Sequence, residues 1–261
     1  MDVYFSYWSK GYNTSLDKKI IKMQELSACL ASKHFKNIYL VTDKEAFPHL
    51  KDIFEWSGIN LSLSDLDKDL SSVWSLGKIK TYQIASQNNK SFIHIDYDVF
   101  LWNQLPDFIF NSQVFAQSRE PTDSGYEFEK LYEHCPNLNF LEDKKKHSVA
   151  PNMGIFGGSN LDFINEYSAN ALDIIYNNYN FWKNFKFNNS FSKAVLAEQF
   201  MLAAFSDYKK IDIQYLFDIY PVPEVIAQNV GYTHLQGYKQ KITIKSLDAK
   251  IQSIRQSLNK F

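Results

Sequence analysis

The chain has 261 residues, 45% hydrophobic and 22% charged, with 28 basic against 29 acidic side chains and a formal charge of −1. That composition fits a globular protein able to bury its own core, and it excludes a disordered chain and any overall pull toward nucleic acid. Two cysteines, Cys29 and Cys135, make no disulfide framework, no run approaches the roughly 18 apolar residues of a membrane span, and the first 20 residues lack a signal-peptide core. The expected compartment is therefore reducing and cytoplasmic.

Taken in chain order, residues 3–6 read as a strand ending in the aromatic pair Tyr7 and Trp8. Ser15 or Asp17 is placed to cap a helix running to about Lys33. Residues 37–42 (NIYLVT) form a buried-type strand, followed by a helix over 44–56 and another over 74–86. The apolar run 92–95 is the next strand. Further strands are expected near 113–117, 153–156 and 211–213, and helices over 162–176 and 192–205. Strands alternating with helices imply βαβ units and a largely parallel sheet, in one domain over 1–240. From 241 to 261 a basic helix carries Ile244, Leu247, Ile251, Ile254, Leu258 and Phe261 on one stripe. It is expected to pack on the domain or to lie on a membrane surface.

The segment 91–102 (SFIHIDYDVFLW) places two aspartates just past a buried strand, where ligands bind in open α/β sheets. Side chains two apart project alike from a strand, so Asp96 and Asp98 share a side with Tyr97 opposite. Two carboxylates there make a hard-oxygen site for Mn²⁺ or Mg²⁺, which can grip a diphosphate. Asp65, Asp67 and Asp69 repeat the spacing in a polar stretch with no strand before it, and read as a solvated loop.

Far downstream, His234 can complete a metal shell, Gly237 permits close backbone approach to phosphate, and Lys239 adds positive charge. Residues 194–205 form a helix apolar on all sides except for Glu198 and Gln199. A carboxylate buried there needs a partner, a raised pKa or a chemical task, and an ion pair with an unseen Lys or Arg is the structural alternative. Asn152 and Gly154 lie in a strand that Gly157 and Gly158 turn into the next helix. The chain has only nine glycines, where average usage of about 7% would give roughly 18. None is spaced as GxGxxG, GxxxxGK or GxSxG, so dinucleotide, P-loop and hydrolase-elbow readings lose their support.

In this order the segments resemble a DXD glycosyltransferase of the GT-A fold, and most of all glycosyltransferase family 8, the glycogenin and lipopolysaccharide galactosyltransferase kind. Asp96-Tyr97-Asp98 resembles the family's D-x-D, Asn152-Met153-Gly154 its Asn-Ala-Gly, Glu198-Gln199 its Asp-Gln, and His234 to Gly237 its His-x-x-Gly. The resemblance departs at Glu198, at the position of Lys239, and in lacking the family's Pro-Trp. It implies a Rossmann-like nucleotide-diphospho-sugar transferase with a mixed, mostly parallel sheet flanked by helices. It also implies a UDP-sugar donor, a glycan or glycolipid acceptor, and Mn²⁺ or Mg²⁺ on Asp96, Asp98 and His234. Lys78 and Lys80 resemble a donor-binding basic position; Tyr7 and Trp8 are expected to meet the base, and Tyr97, Asn152, Gly154, Gly237 and Lys239 to line the nucleotide sugar. Glu198 and Gln199 are the catalytic pair, with retention preferred over inversion. Bacterial cell-surface polysaccharide synthesis at the inner face of a membrane is the expected setting. A sugar-nucleotide nucleotidyltransferase and a non-catalytic carbohydrate-binding protein are the alternatives.

Overall fold

The computed structural model describes residues 1–11, 16–88, 90–122, 127–135, 149–188 and 192–258. Its strands are β1 (Asp2–Tyr7), β2 (Ile38–Thr42), β3 (Gly58–Asn60), β4 (Phe92–Ile95), β5 (Val99–Leu101), β6 (Phe115–Pro121), β7 (Val149–Gly158), β8 (Gln214–Phe217) and β9 (Tyr232–His234). Its helices are α1 (Lys18–Ala31), α2 (Phe47–Leu50), α3 (Leu76–Ser86), α4 (Asp107–Phe110), α5 (Phe128–His134), α6 (Leu161–Asn177), α7 (Tyr179–Asn184), α8 (Ser192–Val195), α9 (Met201–Lys209), α10 (Glu224–Val230) and α11 (Ile244–Leu258).

Seven strands form one sheet in the order β3-β2-β1-β4-β7-β6-β8. Only β7 runs against its neighbours; every other pairing in this sheet is parallel. This is the mixed, mostly parallel sheet flanked by helices that the sequence led us to expect. Side chains alternate between its faces. Tyr4, Val41, Phe92 and Phe156 join a core with α3, α6 and α9, while Val3, Phe5, Leu40, Ile93 and Ile155 join a second core with α1 and α11. Both faces are covered, which is why the central strands are largely apolar on both sides.

A second, two-stranded sheet pairs β5 with β9 antiparallel, setting Val99 opposite His234 and Leu101 opposite Tyr232. Helices α8 and α9 are joined through a π-helical turn, Leu196–Phe200, that widens the ladder at Glu198 and Gln199.

Several boundaries differ from the sequence reading. The helix expected over 44–56 shrinks to one turn, α2, with Pro48 in its first turn. The strand expected at 211–213 lies at β8 instead, because α9 continues to Lys209 and ends on Lys210 in a left-handed conformation (φ 56°). Asp17 caps α1, accepting the Lys19 N–H at 3.0 Å; the other candidate, Ser15, and Phe261 lie outside the described residues. Leu247, Ile251 and Ile254 of α11 are buried in the second core. Lys22 to Asp248 (3.0 Å) and Arg255 to Glu25 (2.8 Å) tie this helix to α1. Its apolar stripe therefore faces the protein.

Candidate metal centre

β4 ends at Ile95, and the chain leaves it in a tight turn closed by the Val99 N–H on the Asp96 carbonyl (3.0 Å). Asp96 and Asp98 therefore sit on a turn, not on an extended strand, and the turn rather than strand alternation brings their carboxylates together. β5 then pairs with β9, and the Leu235 N–H reaches back to the Asp98 carbonyl at 3.1 Å. That pairing delivers His234 from more than a hundred positions away. Ligand atoms of Asp96, Asp98 and His234 all lie within 4.8 Å of one another. His234 Nε2 faces Asp98 Oδ2 at 3.7 Å, with Asp98 only 2% exposed. Two carboxylate oxygens and one imidazole nitrogen converging at this separation suit Mn²⁺ or Mg²⁺.

Two ammonium groups flank the triad. Lys239 Nζ lies 2.9 Å from Asp98 Oδ2 and 3.1 Å from the Tyr97 hydroxyl, above the Tyr97 ring. Burial alone would lower its pKa, but Asp98 and Tyr97 outweigh that and raise it. Lys78, nearly sheathed by protein, reaches Asp96 (3.1 Å), Glu198 Oε1 (2.8 Å) and the Met153 carbonyl (3.1 Å). Its pKa is likewise raised, the two carboxylates overcoming the cost of burial. Asp96 is pushed up to about 6, chiefly by burial; Lys78 pulls it down, while Asp98 and Glu198 push it further up. Burial lowers His234 against the pull of both aspartates, favouring the neutral ring that metal ligation requires.

Glu198 has the ion-pair partner that its apolar helix demands. It is 0% exposed; its Oε1 accepts from Lys78 and from the Tyr82 hydroxyl (2.5 Å), and its backbone carbonyl accepts from the Tyr167 hydroxyl (2.7 Å). Both tyrosines are held protonated, mainly by burial, and so stay donors. Glu198 is thus linked to Asp96 through Lys78 and sealed from solvent, and Gln199, next in the π turn, is buried too.

The Asn152-Met153-Gly154 segment is an irregularity in the β6–β7 ladder. Ala116 pairs with Phe156 and Ser118 with Asn152, so two steps along β6 match four along β7. Three hydrogen bonds are made by the backbone at this bulge. Asn152 Oδ1 accepts the Gly154 N–H (3.1 Å), the Gly154 carbonyl accepts the Asp96 N–H (2.9 Å), and the Met153 carbonyl accepts Lys78. A Cβ on Gly154 would collide with Gln117 Oε1 and His234 Nδ1, so glycine is needed there to seat the histidine.

Asp96, Asp98, His234, Lys239, Tyr97, Lys78, Glu198, Asn152 and Gly154 are thus brought together. Gly237 lies in the short 3₁₀ segment Gln236–Lys241 that carries Lys239. Other expected residues are not at the site's surface. Trp8 is buried in the core beside Gly11 and Gly77, so it presents no face for a base to stack on. Tyr7 is also buried and meets Tyr97 edge-on. Lys80, two residues past Lys78 on α3, points elsewhere and bonds Gln83 (2.8 Å). Gln117, Tyr82 and Tyr167 also belong to the site, and the sequence alone does not mark them. A lone Gln or Tyr in an apolar stretch carries no spacing signal, and the ladder shift that aims Gln117 is invisible without pairing.

No helix among the described residues is long and apolar enough to cross a membrane. No curated protein matches the chain in sequence. Among solved structures, mouse xyloside xylosyltransferase 1 in its apo form is similar over 89% of this chain and 96% of that one, at 10% identity and a TM-score of 0.46. That likeness is too slight to carry activity or residue roles across. The model of a family of unknown function, DUF6734, matches residues 6–258, and the chain belongs to that family.

Proposed function

We propose that this protein is a metal-dependent glycosyltransferase that moves a hexose from a UDP-sugar to a glycan or glycolipid acceptor. The observation that carries the reading is the convergence of Asp96, Asp98 and His234 at the carboxyl end of β4, with Lys239 beside them. The order of D-x-D, Asn-x-Gly, acid-amide and His-x-x-Gly segments supports it further. A divalent cation held by Asp96, Asp98 and His234 would supply Lewis-acid neutralisation of the diphosphate as it leaves.

The protein's own groups have complementary tasks. Lys239, on an exposed 3₁₀ segment, can swing its ammonium from Asp98 to the diphosphate oxygens, placing charge where charge develops. Lys78, fixed by Glu198 and the Met153 carbonyl, holds one face of Asp96 and sets its orientation. Gln199, buried beside Glu198 in the π turn, carries no charge and is suited to steady positive charge at the sugar carbon through its amide oxygen. Glu198, sealed and already accepting from two donors, is poorly placed to take a proton from an acceptor hydroxyl. We therefore favour retention of anomeric configuration.

Incubation with a panel of nucleotide sugars and Mn²⁺ tests the reading. The expected result is slow, EDTA-sensitive release of UDP that falls at least about 100-fold in Asp98→Ala. Pyrophosphate exchange in place of UDP release, or metal-independent turnover unchanged in Asp98→Ala, would overturn it.

A further inference from the structure

Gln117 lies in β6 opposite the β7 bulge, where Met153, Gly154 and Ile155 of β7 are matched by this one residue. It is 4% exposed, and its amide reaches across the gap left by the missing Gly154 side chain. Two groups converge on its Oε1: the Tyr232 hydroxyl at 2.6 Å and His234 Nδ1 at 2.7 Å. An amide oxygen only accepts, so the ring proton must sit on Nδ1. The lone pair is then on Nε2, the nitrogen that faces Asp98 Oδ2 at 3.7 Å.

We propose that Gln117 is the positioning residue that fixes the tautomer and aim of His234, keeping the ring proton off the nitrogen that ligates metal; the inference rests on the metal reading above. The physical argument is a competition. A neutral imidazole has one proton and, here, two acceptors to offer it to: the Gln117 oxygen on one side and the Asp98 carboxylate on the other. Were Asp98 to win, Nε2 would be protonated and could not coordinate. Gln117 wins by geometry, because the bulge sets its oxygen at full hydrogen-bond contact, whereas Asp98 stands about an ångström further away. Tyr232, two residues before His234 on β9, donates its hydroxyl to the same amide oxygen and so holds it in place. Outer partners of this kind commonly change metal affinity by about 10–100-fold when removed.

The test uses the whole chain, labelled with ¹⁵N-histidine and free of metal, with Mn²⁺ as the probe. Long-range ¹H–¹⁵N spectra of wild type should find His234 protonated at Nδ1. In Gln117→Leu, and in the milder Gln117→Asn, whose acceptor is one methylene short, the proton should shift to Nε2 and Mn²⁺ affinity should fall about 10–100-fold. Gln117→Glu, which keeps an acceptor at the same reach, should retain the Nδ1 proton and most of the affinity. Wild-type tautomer and wild-type affinity in both Gln117→Leu and Gln117→Asn would overturn the proposal. A wild type that takes up no Mn²⁺ would overturn the metal reading itself, while the tautomer alone decides whether Gln117 orients the ring.

Discussion

Asp96 and Lys239 are the residues whose chemistry is most exposed to test. Burial holds the Asp96 carboxyl up at about 6, so the folded chain binds this proton more tightly than the unfolded one. Its contribution to stability is present below the ordinary carboxylate range and is lost as pH rises through about 6. Cation binding needs the ionised form, so the two trends oppose. Mn²⁺ affinity should climb up to about pH 7 and then level, while metal-free stability from this group declines from about pH 4 to about 6. A flat affinity profile would mean that Asp96 is not a ligand. Lys239 shares the Asp98 oxygen that faces His234. Lys239→Met should therefore leave metal affinity unchanged or raise it a few-fold while weakening UDP binding about tenfold, the scale of one lost charge-assisted contact. Parallel losses in both titrations would contradict this role. At this scale the sequence was informative where charge sits against an apolar strand, as at Asp96, Asp98 and His234. It was silent on Gln117 and on the direction of Lys80, which depend on a ladder irregularity and a helix rotation.

The elements that shape the site are a turn, a bulge and a widened helix. The sequence marks each only indirectly: Gly154 for the bulge, Glu198 and Gln199 for an otherwise apolar helix. Glu198 was legible as a residue needing a partner, but not which one, because Lys78 approaches from a helix over a hundred positions earlier. Lys78 now ties α3, the turn after β4, β7 and the π turn together. Lys78→Met should leave the buried Glu198 and the half-buried Asp96 without their shared cation and cost roughly 3–5 kcal/mol, read as a lowered midpoint in urea. Adding Glu198→Leu should recover part of that loss by removing one stranded charge. A Lys78→Met protein as stable as wild type would show that the ion pairs do not hold these elements. Strand β3 and the partners β5 and β9 escaped the sequence reading because segments of three residues carry too little periodicity to register.

Across the whole molecule, alternating strands and helices made the sheet foreseeable, and mostly apolar strand segments made its covered faces foreseeable too. The reversed direction of β7 and the second sheet were not, since each depends on pairing between distant segments. That second sheet is what closes the site, carrying His234 onto the turn after β4. The apolar stripe of α11 was also visible in sequence, and its cover proved to be α1. The most direct measurement is an EPR titration of Mn²⁺ into wild type, Asp96→Asn, Asp98→Asn and His234→Ala, each first checked for folding. One site should appear in the wild type, weakened about 10–100-fold or more in every variant, because each removes a coordinating atom or its charge. Equal binding by all four proteins, or none by the wild type, would contradict a metal centre at this place.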